Sequence, residues 1–126
     1  MGYSHASIDS LGDGTFRKAR QALGITAFGA NVIVIEPGAV GVPHYHDQQD
    51  ELYFVHRRRA VFGFPDERVE IGPGGLVHVE AETPRRVTNP GPDELVMLAV
   101  GGKGGYVGRD GQPASPKAFL HDTGED

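Results

Sequence analysis

The sequence predicts an all-β domain, either a closed barrel or a double-sheet jelly roll, preceded by one short helix. Two observations favour this class. The apolar and β-branched runs are short, and a glycine, proline or polar turn separates each run from the next. The chain contains 19 glycines and 9 prolines in 126 residues, which suits many tight turns better than long helices. We assign residues 1–126 to a single domain, with its core at about residues 25–101.

Composition narrows the classes of partner. The formal net charge of −5 provides no electrostatic attraction to nucleic acid or to an anionic membrane. No apolar run approaches the roughly 18 residues of a membrane-spanning helix, and the N-terminus lacks a basic-then-apolar signal pattern. The absence of cysteine excludes disulfides and thiolate ligands. We therefore expect a cytoplasmic protein that binds a small molecule and neither nucleic acid nor membrane.

The two ends of the chain are expected to be loosely held arms, at residues 1–15 and 102–126. Both are rich in glycine and small polar residues, and the second arm has no apolar periodicity. Tyr106 or Phe119–Leu120 would anchor this second arm, and its histidine, His121, is expected to be free.

One short helix precedes the strands, from Phe16 to Leu23. Its apolar residues share one face, and Gly24 follows as a helix-terminating residue. The runs at 31–35 and 95–100 are apolar throughout, which is typical of strands covered on both faces. Either the barrel interior or a homodimer interface would cover them. The strands predicted after the helix are 31–35, 44–46, 52–56, 60–64, 68–71, 76–79, 85–88 and 95–100.

The residues with metal-binding chemistry lie between Gly38 and His56. Alternate side chains of a strand share a face, so His44 and His46 project together. The polar stretch 47–50 resembles a turn; if the chain doubles back there, Glu51 returns to the two imidazoles. Two imidazoles and one carboxylate suit a mononuclear divalent ion such as Fe, Mn, Zn, Ni or Co. The sequence therefore predicts a metal site at His44, His46 and Glu51.

The same stretch resembles the first motif of the cupins, G-x5-H-x-H-x(3,4)-E-x6-G. Gly38, His44, His46 and Glu51 fall on this motif at the required spacings, whereas Arg58 stands at its last glycine position. A left-handed conformation costs a non-glycine residue about 1–2 kcal/mol, so we expect the turn to be locally adjusted at Arg58. The resemblance covers most of the chain and implies a cupin-like double-stranded β-helix, that is, a jelly-roll barrel.

The second cupin motif, G-x5-P-x-G-x2-H-x3-N, is matched only in part. Gly74 and Asn89 match its ends with the intervening count preserved, while Glu80 and Glu82 replace its proline and its internal glycine. The histidine that the family uses as a fourth metal ligand corresponds to Arg85, which is always charged and cannot bind a metal.

Arg85 therefore has three interpretations. In the first, three residues hold the metal and Arg85 binds an anionic group of the substrate. In the second, Arg85 pairs with Glu51 and no metal binds, because a nearby cation favours the ionised carboxylate and opposes a divalent ion. In the third, Arg85 faces solvent and His78 replaces the missing ligand.

Two functions remain open. Tyr53 shares the face of Glu51 and is the candidate catalytic acid, whereas no G-x-S-x-G motif or cysteine supports covalent hydrolysis. The resemblance implies a small metal-dependent cupin that acts on a small anionic organic molecule as an oxygenase, isomerase or lyase. The alternative is a non-catalytic, metal-free barrel that binds or senses a small molecule, which the degraded second motif favours. The resemblance also implies a homodimer, because cupin-like barrels commonly pair through strands.

Overall fold

The computed structural model describes residues 2–119. None of its helices is both long enough and apolar enough to cross a bilayer within this range. Short 3-10 helices lie at Ile8–Leu11 and Pro116–Ala118. The remaining elements are β1 (Phe16–Arg17), α1 (Ala19–Leu23), β2 (Gly29–Ile35), β3 (His44–His46), β4 (Asp50–Arg57), β5 (Ala60–Gly63), β6 (Arg68–Ile71), β7 (Leu76–Val79), β8 (Arg86–Thr88), β9 (Leu95–Gly102) and β10 (Gly111–Pro113).

The strands form antiparallel sheets of five, three and two strands. The five-stranded sheet has the order β1-β2-β9-β4-β7, the three-stranded sheet β6-β5-β8, and the pair β10-β3 completes the set. Two isolated bridges, Val40 to Thr88 and His44 to Arg85, join the segment around β3 to the segment around β8. This arrangement, with one short helix, confirms the predicted all-β jelly-roll class.

The hydrophobic core lies between the two larger sheets. Alternate residues of each strand point inward, and they come from β2, β4, β7 and β9 on one side and from β5 and β8 on the other. The rings of Tyr53 and Phe62 meet across the gap in a T-shaped contact with centroids 5.1 Å apart. The buried members are Ile33, Ile35, Tyr53, Val55, Ala60, Phe62, Val79, Val87, Leu95, Met97 and Ala99.

Two residues of the predicted N-terminal arm pack against the five-stranded sheet. Ile8 and Leu11, from the first 3-10 helix, pack on Val32 and Val34, which point away from the main core. The backbone N–H of Val34 also donates to the carbonyl of Thr15 at 2.8 Å. The β2 run is therefore covered on both faces, as its apolar composition predicts.

The helix is shorter than predicted and begins at Ala19 instead of Phe16. Phe16 and Arg17 form β1 because they pair with Ile33 and Val32 of β2, and Phe16 is exposed. Tertiary pairing thus overrides the local helical pattern at this end. Gly24 ends the helix in the left-handed conformation, with φ 70°, as its position predicts.

The described part of the second arm is also anchored. Residues 111–113 form β10 and pair antiparallel with β3. Phe119 is fully buried, with the Arg86 guanidinium carbon 5.4 Å from its ring centroid, and the Arg20 guanidinium lies over Tyr106 at 3.8 Å. Leu120 and His121, which the sequence analysis also considered, lie outside the described residues.

The prediction of a locally adjusted turn at Arg58 is wrong. Arg58 adopts the left-handed conformation itself, with φ 69°. Its Nη2 lies 2.9 Å from Oδ2 of Asp93, but both side chains are about half exposed. An exposed pair stabilises by about 0–1 kcal/mol, which is less than the roughly 1–2 kcal/mol cost of the backbone conformation. This turn therefore remains strained.

Candidate metal centre and its cavity

The predicted trio converges between two sheets. His44 and His46 alternate along β3 and Glu51 lies near the start of β4, while the turn at 47–49 carries the chain from one sheet to the other. One nitrogen from each imidazole and one oxygen from the carboxylate all lie within 4.8 Å of one another. The two rings meet edge to face, with centroids 5.2 Å apart. The geometric prediction of convergence is therefore confirmed.

Hydrogen bonds define which nitrogen of each ring is free. Nδ1 of His44 lies 3.0 Å from the carbonyl oxygen of Val42, and Nδ1 of His46 lies 2.8 Å from Oδ1 of Asp110. Both partner oxygens only accept hydrogen bonds, which favours the neutral tautomer of each ring with the hydrogen on Nδ1 and the lone pair on Nε2. Nε2 of His46 is buried without a hydrogen-bond partner, 3.3 Å from Oε1 of Glu51. Such an orphaned nitrogen beside a second imidazole and a carboxylate fits a metal ligand.

The pKa values of the two histidines shift in opposite directions. Burial lowers the pKa of His44, and the charge of Arg85 acts in the same direction, against the hydrogen bond to Val42. Burial also lowers the pKa of His46, but Glu51 and Asp110 outweigh it, so the pKa of His46 lies above its ordinary value. Without an ion, the carboxylates therefore favour a proton on the His46 ring, and a metal must displace that proton.

Asp110, which the sequence analysis did not identify, supports His46 from the C-terminal segment. It is only 6% exposed. Oδ1 accepts from His46 and from Nε2 of Gln49 at 2.7 Å, while Oδ2 accepts from the backbone N–H groups of Gln48 and Gln49 at 2.9 Å each. Burial raises the pKa of Asp110, but these donors outweigh it and lower the pKa to about 2. The carboxylate is thus ionised and holds the His46 ring in place.

The third predicted ligand, Glu51, lies in a second hydrogen-bonded group. The hydroxyl of Tyr53 donates to Oε1 of Glu51 at 2.5 Å, and Nη2 of Arg85 lies 3.7 Å from the same oxygen. Burial raises the pKa of Glu51, but the adjacent His46 ring, the hydrogen bond from Tyr53 and the charge of Arg85 outweigh it, so the pKa is lowered. Burial, with the charge of Glu51, raises the pKa of Tyr53 well above its usual value. Glu51 is therefore ionised and Tyr53 protonated.

Arg85 does not occupy the position that a substrate anchor requires. Its side chain is 0% exposed and does not line the cavity, because its backbone pairs with His44 and its Nη1 donates to the Ala81 carbonyl at 3.2 Å. The position of Arg85 beside Glu51 agrees with the ion pair of the second interpretation and not with a substrate clamp. The solvent-facing interpretation is wrong. His78 is exposed on the outer face, near Asp50, and does not reach the trio.

A cavity of about 500 Å³ opens beside the trio inside the barrel. His44, His46, Glu51 and Tyr53 form its polar wall. The opposite walls come from the inward faces of β2, β8 and β9 and from β10, so the C-terminal segment closes part of the space. An apolar cavity with a few convergent polar groups is the usual composition of a small-molecule binding site.

Comparisons with known proteins agree with this fold. A family model described as "Cupin domain" matches residues 31–101. No curated protein sequence matches the chain.

Three solved structures show the similarity in detail. A cupin protein from Bacteroides fragilis has a TM-score of 0.71 at 16% identity, covering 82% of this chain and 86% of that chain. A sugar phosphate isomerase of the cupin superfamily from Silicibacter pomeroyi has a TM-score of 0.70 at 23% identity, covering 79% of this chain and 76% of that chain. A protein with a double-stranded β-helix domain from Klebsiella pneumoniae has a TM-score of 0.69 at 14% identity, covering 88% of this chain and 96% of that chain. At these identities the likeness is one of fold.

Proposed function

The chain belongs to the cupin domain family, and from this premise we propose that it binds one divalent ion and a small organic ligand inside its barrel. His44, His46 and Glu51 would hold the ion, which is Fe, Mn, Zn, Ni or Co. The observation that carries this proposal is the convergence of three ligand atoms within 4.8 Å, with Nδ1 of both rings already engaged.

The charge of the site supports an anionic ligand. Glu51 and Asp110 are ionised and Arg85 is a cation, so with both imidazoles neutral the group carries one net negative charge. A divalent ion reverses this to one net positive charge. An anionic donor such as a carboxylate then neutralises a buried charge that would otherwise be costly.

The chain's own residues have separate tasks in this proposal. A divalent ion bound by three protein ligands supplies Lewis-acid polarisation and open positions for a substrate. Asp110 orients His46, and Tyr53 orients Glu51 while keeping a proton at its hydroxyl on the cavity wall. A substrate oxygen that replaces Glu51 as the acceptor of this hydrogen bond would receive the proton, and Tyr53 is therefore our candidate catalytic acid. Oxygenation, isomerisation and lyase chemistry are all compatible with this arrangement.

A metal-free binding barrel is the second candidate. It is favoured by one observation: Arg85 and Tyr53 both approach Oε1 of Glu51. The positive charge of Arg85 and the hydrogen bond from Tyr53 then stabilise the negative charge of the buried carboxylate without an ion. If this is correct, Arg85 opposes metal binding, and Arg85→His should raise metal occupancy. A fall in occupancy in that variant would show that Arg85 supports the site.

Metal analysis of protein purified without a histidine tag separates the two candidates. We expect about one equivalent of metal per chain after reconstitution, and its loss in His46→Ala and Glu51→Gln. His78→Ala is the matched control, because His78 is an exposed histidine outside the trio. Failure of the unaltered protein to bind any of the five metals would favour the metal-free barrel.

We also propose a homodimer, formed through the outer face of the five-stranded sheet. Leu52 and Leu76 are exposed on neighbouring strands of that face, where a second copy would cover them. A monomeric mass by light scattering would exclude this dimer. The cytoplasmic location stays a prediction.

A further inference from the structure

We infer that the ligand of the proposed metal centre has an apolar body, aliphatic or aromatic, with one anionic metal-binding end, and that it is not a phosphate ester. The inference rests on the proposed function, because the anionic end needs the ion held by the trio. It assigns the class of molecule that the remainder of the cavity accepts.

The cavity wall is apolar away from the trio. Two other polar side chains, Asn31 and Gln112, line it, and Nε2 of Gln112 already donates to Oδ2 of Asp47 at 2.8 Å. The hydroxyl of Tyr53 is committed to Glu51. The apolar wall is formed by residues of β2, β8, β9 and the segment before β3, namely Ile33, Ile35, Val42, Val87, Met97 and Ala99.

Apart from the proposed ion, a phosphate group finds no cationic partner in this space. Within residues 2–119, no lysine or arginine lines the cavity. Arg85 is fully buried outside its wall. Arg17 lines an adjoining groove at the mouth, but Asp13, Glu36 and Glu94 line the same groove, so its formal charge is negative. A buried phosphate dianion needs charged or N–H donors, and a polyhydroxylated body leaves hydroxyl groups unpaired against aliphatic walls.

The apolar surface continues from the cavity to its mouth. Phe16 and Val42 line both the cavity and the adjoining groove, and they are 62% and 74% exposed. A cavity of about 500 Å³ lies within the range that encloses a ring with substituents. The ligand's apolar body would bury these side chains, and that burial favours binding without any further polar contact.

A matched pair of probes tests the inference on the zinc-loaded protein. Glycolate and mandelate share the same α-hydroxy carboxylate, and mandelate adds a phenyl ring. We expect mandelate to bind at least about tenfold more tightly than glycolate, because the ring removes apolar surface from water. Glucose 6-phosphate should bind no more tightly than glycolate. Isothermal titration calorimetry measures all three affinities.

Met97 provides a local signal for the position of the ring. The chain has two methionines, Met1 and Met97, and Met97 is buried in the cavity wall. In protein labelled with ¹³C at the methionine methyl groups, the mandelate ring should shift the Met97 signal, whereas glycolate should leave it nearly unchanged.

Two variants localise the effect. Ala99→Leu fills the cavity and should abolish the preference for mandelate over glycolate. Because a core change can disturb folding, Val42→Asp provides a second test at an exposed position, with Val40→Asp as its control. Val40 is also exposed but lines only the outer groove. Val42→Asp should weaken mandelate binding more than Val40→Asp does, and equal effects would contradict the assigned position.

The outcomes separate this inference from the proposed function. If zinc binds but mandelate and glycolate bind equally, or glucose 6-phosphate binds more tightly than mandelate, the inference is wrong and the metal site stands. If no metal binds, the proposed function fails; benzene added to the metal-free protein then tests the apolar cavity alone. A shift of the Met97 methyl signal supports the apolar body, and its absence overturns it.

Discussion

Replacing Asp110 by asparagine should weaken metal binding while the barrel remains folded. The carboxylate accepts four hydrogen bonds: two at Oδ1, from His46 and the Gln49 side chain, and two at Oδ2, from the backbone of Gln48 and Gln49. An amide has one accepting oxygen, so in either orientation its NH₂ group faces donors. The free energy of unfolding should fall by about 1.5–3 kcal/mol, the value of a hydrogen bond to a charged group.

The same change should lower zinc affinity by about 10- to 100-fold, the usual effect of losing a carboxylate that orients a ligating histidine. Chelator competition measures the affinity, and ¹⁵N NMR of the imidazoles should show that His46 no longer carries its hydrogen on Nδ1 alone. Asp47→Asn is the control, because Asp47 is exposed and accepts from Gln112; its effect on affinity should be negligible. Asp110→Asn with lowered stability but unchanged zinc affinity would refute the orienting role.

Three further predictions follow from the same contacts. Tyr53→Phe removes the hydroxyl that donates to buried Glu51, so urea unfolding should show a loss of about 1–3 kcal/mol; unchanged stability would mean that this hydrogen bond is weak. Asp110 has a pKa of about 2 in the folded chain and about 3.9 when unfolded. Asp110 therefore contributes to the free energy of unfolding above the pKa of the unfolded chain, and this contribution is lost as the pH falls towards 2. Asp110→Asn should flatten this part of the acid-unfolding curve; an unaltered curve would contradict the lowered pKa of Asp110. Arg58→Gly should stabilise the chain by about 1 kcal/mol in thermal unfolding. Glycine relieves the backbone strain at φ 69°, and this gain exceeds the loss of one exposed ion pair. Arg59→Gly, the control, also loses an exposed pair but relieves no positive φ, so equal effects of the two variants would argue against strain.

Short-range spacing accounts for most of what the sequence predicted correctly. His44 and His46 are two residues apart in a strand, so strand geometry alone brings them to one face. Glu51 follows after a turn too short to carry the carboxylate far away. The fold class followed from the short apolar runs. The run at 31–35 is covered on both faces, as its composition indicated, whereas the run at 95–100 is buried on its inner face and half-buried at Leu98 and Val100 on its outer face.

Long-range pairing accounts for what the sequence did not show. Asp110 is 64 residues from His46, and the segment that carries it has no apolar periodicity, so nothing local indicated that β10 would pair with β3. The sequence signal for this contact was weak: Asp110 precedes a short stretch that could form a strand. The burial of Arg85 likewise depends on pairing with His44 across the barrel. The N-terminal end of the predicted helix forms strand β1 for the same reason, because Phe16 and Arg17 pair with β2.

The most direct test of the account is a zinc titration followed by ¹⁵N NMR of the histidine rings. The chain has six histidines, and we predict that one equivalent of zinc shifts Nε2 of His44 and His46 while leaving His5, His56 and His78 unchanged. Zinc that shifts neither of the two rings, or that shifts the other histidines equally, would contradict the convergence of this site on a single ion.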